Sequence, residues 1–179
     1  DPLYTPDEEG RAVWASSFTG GETTQIVVTG SFTISPGGDQ IAYGQGRDLF
    51  LLALADGAEP ERVARIRGGA GSLTWSPDGA KLAFVSSRGD HAFIGVLDLE
   101  DHRITYLDPS VASDGSPAWS PDGRQIAYIR IPNERVVHMF SPRREALPFS
   151  IRVADVESGE GHEVWKAREG TGKIGRAHV

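Results

Sequence analysis

The chain contains no cysteine, which excludes a disulfide framework and thiolate metal sites while leaving the redox compartment open. No run approaches the ~18 consecutive apolar residues of a membrane helix. No charged-then-apolar leader opens the chain either, so nothing in it reads as spanning or secreted. It begins with Asp1 instead of methionine, from which we expect a removed leader or a missing true start. Basic residues are in deficit, 18 against 25 acidic ones for a net charge of −7. That balance argues against a nucleic-acid or membrane-surface binder. Helical periodicity is also lacking, so helix content is expected near zero. What the chain has in plenty is glycine and proline, 22 and 11 residues, alongside 39% hydrophobic residues. The combination is that of a turn-rich globular protein.

One pentapeptide recurs intact. Trp-Ser-Pro-Asp-Gly stands at Trp75 to Gly79 and again at Trp119 to Gly123, and a weaker copy occupies Ile34 to Gly38. The starts are 41 and 44 residues apart, the period of propeller blades. The flanks repeat as well. Ile41-Ala42-Tyr43, Leu82-Ala83-Phe84 and Ile126-Ala127-Tyr128 follow the three copies at matching distances.

Each copy reads as four strands. The first ends at Ile34, Trp75 or Trp119, and a Pro-Asp-Gly turn then reverses the chain: proline presets φ, aspartate tolerates the bridge region and glycine takes φ > 0. A second strand follows at once, as at Lys81 to Ser86. Third strands are expected at Asp48 to Leu54, Ala92 to Leu99 and Ser150 to Val156, and fourth strands at Arg62 to Ile66, Arg103 to Leu107 and His162 to Trp165. Four antiparallel strands per period make a blade, so the fold expected is all-β, a partial β-propeller of about three blades plus a remnant. The units are 1–29 as the remnant of a preceding blade, then blades at 30–67, 71–108 and 115–167, the last carrying an insertion at 131–149. The tryptophans are expected to pack between adjacent blades, and Asp78 and Asp122 to serve their turns instead of catalysis or calcium binding.

The insertion departs from the short Ser87 to His91 link of the second blade. Its charges, Glu134, Arg135, Arg143, Arg144 and Glu145, are candidates to meet a substrate or a partner domain, against the simpler reading as solvated loop charges. Elsewhere the sequence offers no active site. The five histidines, His91, His102, His138, His162 and His178, lack zinc spacing. No Gly-x-Ser-x-Gly elbow and no Walker loop occurs. Arg88-Gly89-Asp90 reads as a hairpin tip. Gly170 to Gly175 matches a dinucleotide fingerprint in letters, but the chain stops four residues later, without the strand–helix context the motif needs. Residues 173–179 have another explanation. Ile-Gly-Arg-Ala-His-Val is the translation of ATC GGA AGA GCA CAC GTC, the start of a common sequencing adapter whose next triplet is a stop. We expect this tail to be an artefact and the natural protein to continue beyond Thr171-Gly172. No catalytic, cofactor-binding or metal-binding residue is assigned.

Trp-Ser-Pro-Asp-Gly followed by Lys-Leu-Ala-Phe-Val-Ser or Arg-Gln-Ile-Ala-Tyr-Ile resembles the WD-like propeller repeats of prolyl oligopeptidase and dipeptidyl-peptidase IV type serine peptidases, which the periplasmic protein TolB shares. Ser87 to Val96 and Pro148 to Val156, with Gly159 to Trp165 after them, are similar to blades of bacterial peptidases of this group. The resemblance spans roughly residues 30–172. It implies a non-catalytic propeller that gates peptide access to an α/β-hydrolase domain of the same parent chain, with peptide as the substrate of the whole enzyme. Since the hydrolase domain is absent here, no catalytic residue is carried over and the chain alone is expected to be inactive. The paired glutamates that the dipeptidyl-peptidase subgroup uses are not found in the insertion; Glu8-Glu9 lie in the remnant without the motif's aromatic context. The alternatives are a TolB-like interaction propeller without enzymatic activity, and a fragment that does nothing alone because its strand edges are open. Periplasmic, secreted and cytoplasmic locations all remain open.

Overall fold

The computed structural model describes residues 12–15, 24–28, 31–55, 57–133 and 148–167. These residues are all β, with no helix among them, and so none long and apolar enough to cross a membrane. A two-stranded sheet, β1 (Ala12–Ala15) and β2 (Thr24–Val28), comes first. Three antiparallel four-stranded units follow: β3 (Ser31–Ile34), β4 (Gln40–Gln45), β5 (Asp48–Ala53) and β6 (Glu61–Arg65); β7 (Gly69–Trp75), β8 (Lys81–Ser87), β9 (Ala92–Asp98) and β10 (Ile104–Leu107); β11 (Ser113–Trp119), β12 (Gln125–Ile131), β13 (Ser150–Asp155) and β14 (Gly161–Lys166). We refer to them as blades 1, 2 and 3. Blades 2 and 3 are joined by one parallel pair, Ser113 opposite Ala92.

The repeated pentapeptide builds the same turn twice. Ser76 Oγ donates to Asp78 Oδ1 (2.6 Å) and accepts from the Lys81 amide (2.9 Å), while the Ala80 amide donates to Asp78 Oδ1 (3.0 Å). Ser120, Asp122, Arg124 and Gln125 repeat these bonds at 2.6, 3.1 and 2.9 Å. Gly79 and Gly123 take φ of 74° and 70°, a conformation that costs a residue with a Cβ. The weaker copy has Gly37 in place of the aspartate at the fourth position yet keeps the turn. Asp39, two places later, accepts from Ser35 Oγ (2.7 Å), and the Gln40 amide donates to Ser35 Oγ (3.0 Å).

The tryptophans lie between blades, as expected. Trp75 Nε1 donates to the Thr33 carbonyl of blade 1 (3.4 Å), and Trp119 Nε1 donates to the Thr74 carbonyl of blade 2 (3.2 Å). Each indole thus bonds the residue just before the matching position of the preceding blade. Alternating residues of the middle strands fill the spaces on either side. Leu82, Phe84 and Leu97 join Ala42, Leu49, Val63 and Ile66 in one core, whereas Ala83, Ile94 and Val96 join Ile126, Tyr128 and Ala154 in the next. Val13 packs on a third cluster, Ile41, Tyr43 and Leu52, which ties the leading sheet to blade 1. In β7 and β11 the ladder shifts register at Gly71/Thr74 and Gly115/Ala118, and Ser72 and Ser116 in these bulges take φ of 47° and 55°.

Candidate functional site between blades 2 and 3

Two positions beyond the aromatic of each second strand, the repeat diverges. Blade 2 has Ser86 there, which is buried and donates Oγ to the Arg67 carbonyl (2.5 Å) in the crossover from blade 1. Blade 3 has Arg130. Its Nη2 donates to the Asp108 carbonyl (2.5 Å) in the crossover from blade 2, so the same task falls to a cation. A guanidinium taken out of water needs counter-ions, and they are present. Arg130 Nε and Nη2 hold Asp114 in a two-pronged contact at 2.7 and 2.8 Å, and Nη1 reaches Asp108 Oδ2 at 3.1 Å. Arg152 Nε donates to the same Asp108 oxygen (2.6 Å), as does the Tyr128 hydroxyl (2.7 Å).

The site is a neutral cluster of two carboxylates and two guanidiniums. Burial pushes the Asp114 carboxyl up from its ordinary value, with Arg130 pulling the other way. Burial also works against the Arg130 cation, but Asp114 and the surrounding charges outweigh it and hold Arg130 above its ordinary value. Burial thus bears on both partners of the pair. Tyr128 is pushed up to about 12 by burial and by its bond to Asp108, and stays a hydrogen-bond donor. Room for Asp108 comes from Gly161: a Cβ there would lie 2.7 to 2.9 Å from the Asp108 side chain.

Beside this cluster opens a cavity of about 350 Å³ whose walls include Val111, Pro132, Pro148 and Phe149, with Arg130 and Arg152 among its lining. Both ends of the insertion, Asn133 and Pro148, form part of its rim. Asn133 Nδ2 donates to the Asp90 carbonyl at the hairpin tip of blade 2. At that tip His91 Nδ1 bonds Asp90 Oδ1 (2.6 Å), and the Arg88 guanidinium lies over the Phe93 and Tyr106 rings at 4.7 and 5.2 Å. The insertion charges Glu134, Arg135, Arg143, Arg144 and Glu145, and the tail 173–179, lie outside the described residues, as do Glu8, Glu9, His138 and His178. Among the described residues no group of three histidine, aspartate or glutamate side chains is placed to hold a metal ion. Sequence reasoning missed the ionic cluster altogether. The signal that could have found it was the repeat column reading Gln45, Ser86, Arg130, where the third copy alone is charged.

A family model described as the TolB beta propeller domain matches residues 3–131. No curated protein matches the chain. Among solved structures the chain is similar to a TolB from Agrobacterium tumefaciens, at 20% identity and a TM-score of 0.67, covering 93% of this chain and 61% of that one. It is similar also to the β-propeller domain of the trilobed protease from Pyrococcus furiosus, at 16% identity and 0.62, covering 86% and 49%. A third likeness is to the acylaminoacyl peptidase of Pyrococcus horikoshii, at 17% identity and 0.50, covering 74% and 24%. The chain therefore spans 61% or less of the length of these structures.

Proposed function

Because the chain belongs to the TolB β-propeller domain family, we propose that it is the propeller portion of a longer prolyl oligopeptidase-type serine peptidase, a non-catalytic wall that limits access to a hydrolase domain carried elsewhere in the parent chain. The observation that supports this reading is the cavity at the foot of the 131–149 insertion. It combines apolar walls with two guanidiniums held in place by Asp108 and Asp114, surfaces suited to a peptide with apolar side chains and carbonyl or carboxylate acceptors. Peptide handling without cleavage is the role such a wall can fill, since nothing among the described residues makes a nucleophile–base pair.

A second reading, a TolB-like interaction propeller without enzymatic activity, is favoured by the family match and by the coverage of 93% against the Agrobacterium TolB. Resequencing the source DNA beyond Thr171-Gly172, with adapter trimming, decides between them. The peptidase reading expects about 300 further residues, one or two domains, with Gly-x-Ser-x-Gly, then aspartate, then histidine. A stop shortly after the last blade supports the TolB-like reading. The chain alone is expected not to hydrolyse proline- or alanine-linked chromogenic dipeptides. Turnover abolished by a serine-directed inhibitor overturns that expectation.

A further inference from the structure

The face opposite the Pro-Asp-Gly turns carries a local surplus of positive charge in a chain whose net charge is −7. On that face β4 turns into β5 through Gly46 and Arg47, blade 1 crosses to blade 2 through Ile66 to Gly68, and β8 turns into β9 through Arg88 to His91. Hydrogen bonds draw these segments together. The Ile66 amide donates to the Arg47 carbonyl (2.8 Å), the Ala70 amide to the Gly46 carbonyl (3.2 Å), and Ser86 Oγ to the Arg67 carbonyl (2.5 Å). A Cβ on Gly68 would lie 3.1 Å from Arg88 Cγ, and Arg65 lies opposite Asp48 in the ladder. The strand that carries Arg62 and Arg65, β6, is itself pinned to blade 2, because His102 Nδ1 donates to the Val63 carbonyl (2.9 Å). Gly159, at the matching place of blade 3, has no side chain to repeat that bond.

Five arginines stand on this rim, Arg47, Arg62, Arg65, Arg67 and Arg88, and the first four are exposed. The acids beside them are Asp48 and Asp90, so three positive charges are left over; Glu61 sits at the far end of β6, opposite Leu51. Asp48 Oδ1 lies 3.9 Å from both Arg62 Nη1 and Arg65 Nε, beyond hydrogen-bond reach of either. Asp90 is engaged by His91 Nδ1 (2.6 Å). Arg47, Arg67 and Arg88 make no salt bridge among the described residues. Arg88 is also held in place: its guanidinium lies over the Phe93 and Tyr106 rings, its Nε is buried without an acceptor, and Tyr106 packs on the core between blades 1 and 2. A guanidinium stacked on rings and lacking a carboxylate in its plane presents its terminal nitrogens to an incoming two-pronged acceptor.

We propose that this arginine rim is a docking surface for a short acidic segment of a partner protein, one carboxylate taken by Arg88 and its neighbours by Arg47, Arg65 and Arg67. Charge complementarity carries the assignment. The cations are all arginine, whose planar fork matches a carboxylate better than a lysine ammonium does. A short segment is preferred to a long polyanion such as nucleic acid because the surplus is local: beyond about one Debye length, ~8 Å at physiological salt, a longer ligand meets a chain of net charge −7. The surface belongs to blades 1 and 2, away from the cavity at the insertion, and so holds under either reading of the parent protein.

The test is fluorescence anisotropy of the full chain with a labelled octapeptide of alternating glutamate and glycine, against its lysine counterpart and a labelled single-stranded DNA of about 20 nucleotides. The glutamate peptide is expected to bind at least about tenfold more tightly than the lysine peptide, to bind more tightly than the DNA, and to lose affinity as salt is raised. Arg65→Glu with Arg67→Glu should weaken it at least about tenfold, and Arg88→Lys, which keeps the charge but removes the fork, about threefold. Arg124→Glu, the same charge reversal at an exposed turn on the opposite face, should change it by less than about twofold. If the double variant fails to fold, Arg47→Glu, at the exposed β4–β5 turn, replaces it with the same expected direction. Equal binding of the two peptides, no binding of the glutamate peptide, tighter binding of the DNA, or a loss from Arg124→Glu as large as that from the rim variants overturns the proposal.

Discussion

Blades 1 and 2 meet across hydrocarbon, with Val63, Ile66, Trp75 and Phe84 in the gap and one serine hydroxyl closing the crossover. Blades 2 and 3 meet across a hydrocarbon centre as well, but one rim of that junction is an ionic cluster and cavities open beside it and toward the turns. The two junctions are built from one repeat, so the contrast at that rim shows what a divergent column does. A serine at that column satisfies a carbonyl and occupies little space. An arginine satisfies the same kind of carbonyl but brings a charge that must be neutralised out of water, and Asp108, Asp114 and the glycine at 161 follow from it. Such a cluster is weak evidence of extra stability. What it does provide is a set of directional contacts between Arg130, Arg152, Asp108 and Asp114, where the apolar junction has packing tolerant of rearrangement.

The largest expected effect falls on the ionic side. Arg130→Met leaves Asp114 buried without its cation and should cost about 3–5 kcal/mol in urea unfolding; a cost under about 1 kcal/mol would mean that the cluster is solvated and the contrast between junctions is superficial. Ser86→Ala is the matching change on the apolar side. It strands one carbonyl and should cost about 1–3 kcal/mol by the same measurement.

Acid should distinguish turns from junctions. Asp78 and Asp122 are held below the ordinary carboxylate range by the hydroxyls of Ser76 and Ser120, Asp98 by Lys81, and Asp155 by Ser158. A carboxyl lowered in the folded state binds its proton less readily there than in the unfolded chain, so its stabilisation is complete above the unfolded value near 4 and is lost as pH falls through the lower folded values. Asp114 is raised and has the opposite sign: protonation relieves part of its burial cost as pH falls through its folded value. Unfolding midpoints should therefore show a decline below about pH 4 that Asp122→Asn flattens, while Asp114→Asn should remove a gain in stability that sets in above that value as pH falls. A decline that Asp122→Asn leaves untouched would locate the acid sensitivity elsewhere.

The smallest effect is expected from His102→Gly, which makes the first junction resemble the second at one position. Losing the bond to Val63 costs about 1 kcal/mol, while relief of a left-handed backbone at a residue with a Cβ returns about as much. A melting temperature shifted by more than a few degrees would show that the imidazole does more than bridge the blades.

How much of this was legible in the sequence follows from the range over which each interaction acts. The turns were readable because Ser76 to Lys81 contains every group that the turn uses; six consecutive residues and their amides suffice. The indoles were readable as inter-blade groups because their position relative to the turn repeats. Asp39 was not, since the weak copy keeps the carboxylate but moves it by two places, and spacing alone cannot say that Ser35 still reaches it. The ionic cluster was least readable of all. Its members are contributed by an outer-strand end, an inner strand, and two middle strands separated by up to 44 residues, and nothing local announces that Asp108 turns inward. Likewise the insertion drew notice by its length and charge, whereas the cavity at its foot depends on Val111 and Arg152, which lie outside it.

The tryptophan bonds have one more consequence. Thr33 and Trp75 are 42 residues apart, Thr74 and Trp119 are 45 apart, yet the two indole contacts are 3.4 and 3.2 Å long. The second interval is three residues longer, yet the indole reaches the matching carbonyl of the preceding inner strand. An indole bonded to the neighbouring inner strand behaves as a gauge block: it fixes the pitch of the stack at its axis and leaves the periphery free to lengthen. Loops on the rim can therefore be exchanged over evolution without retuning the angle between blades, provided that the tryptophan and the carbonyl before its predecessor are kept.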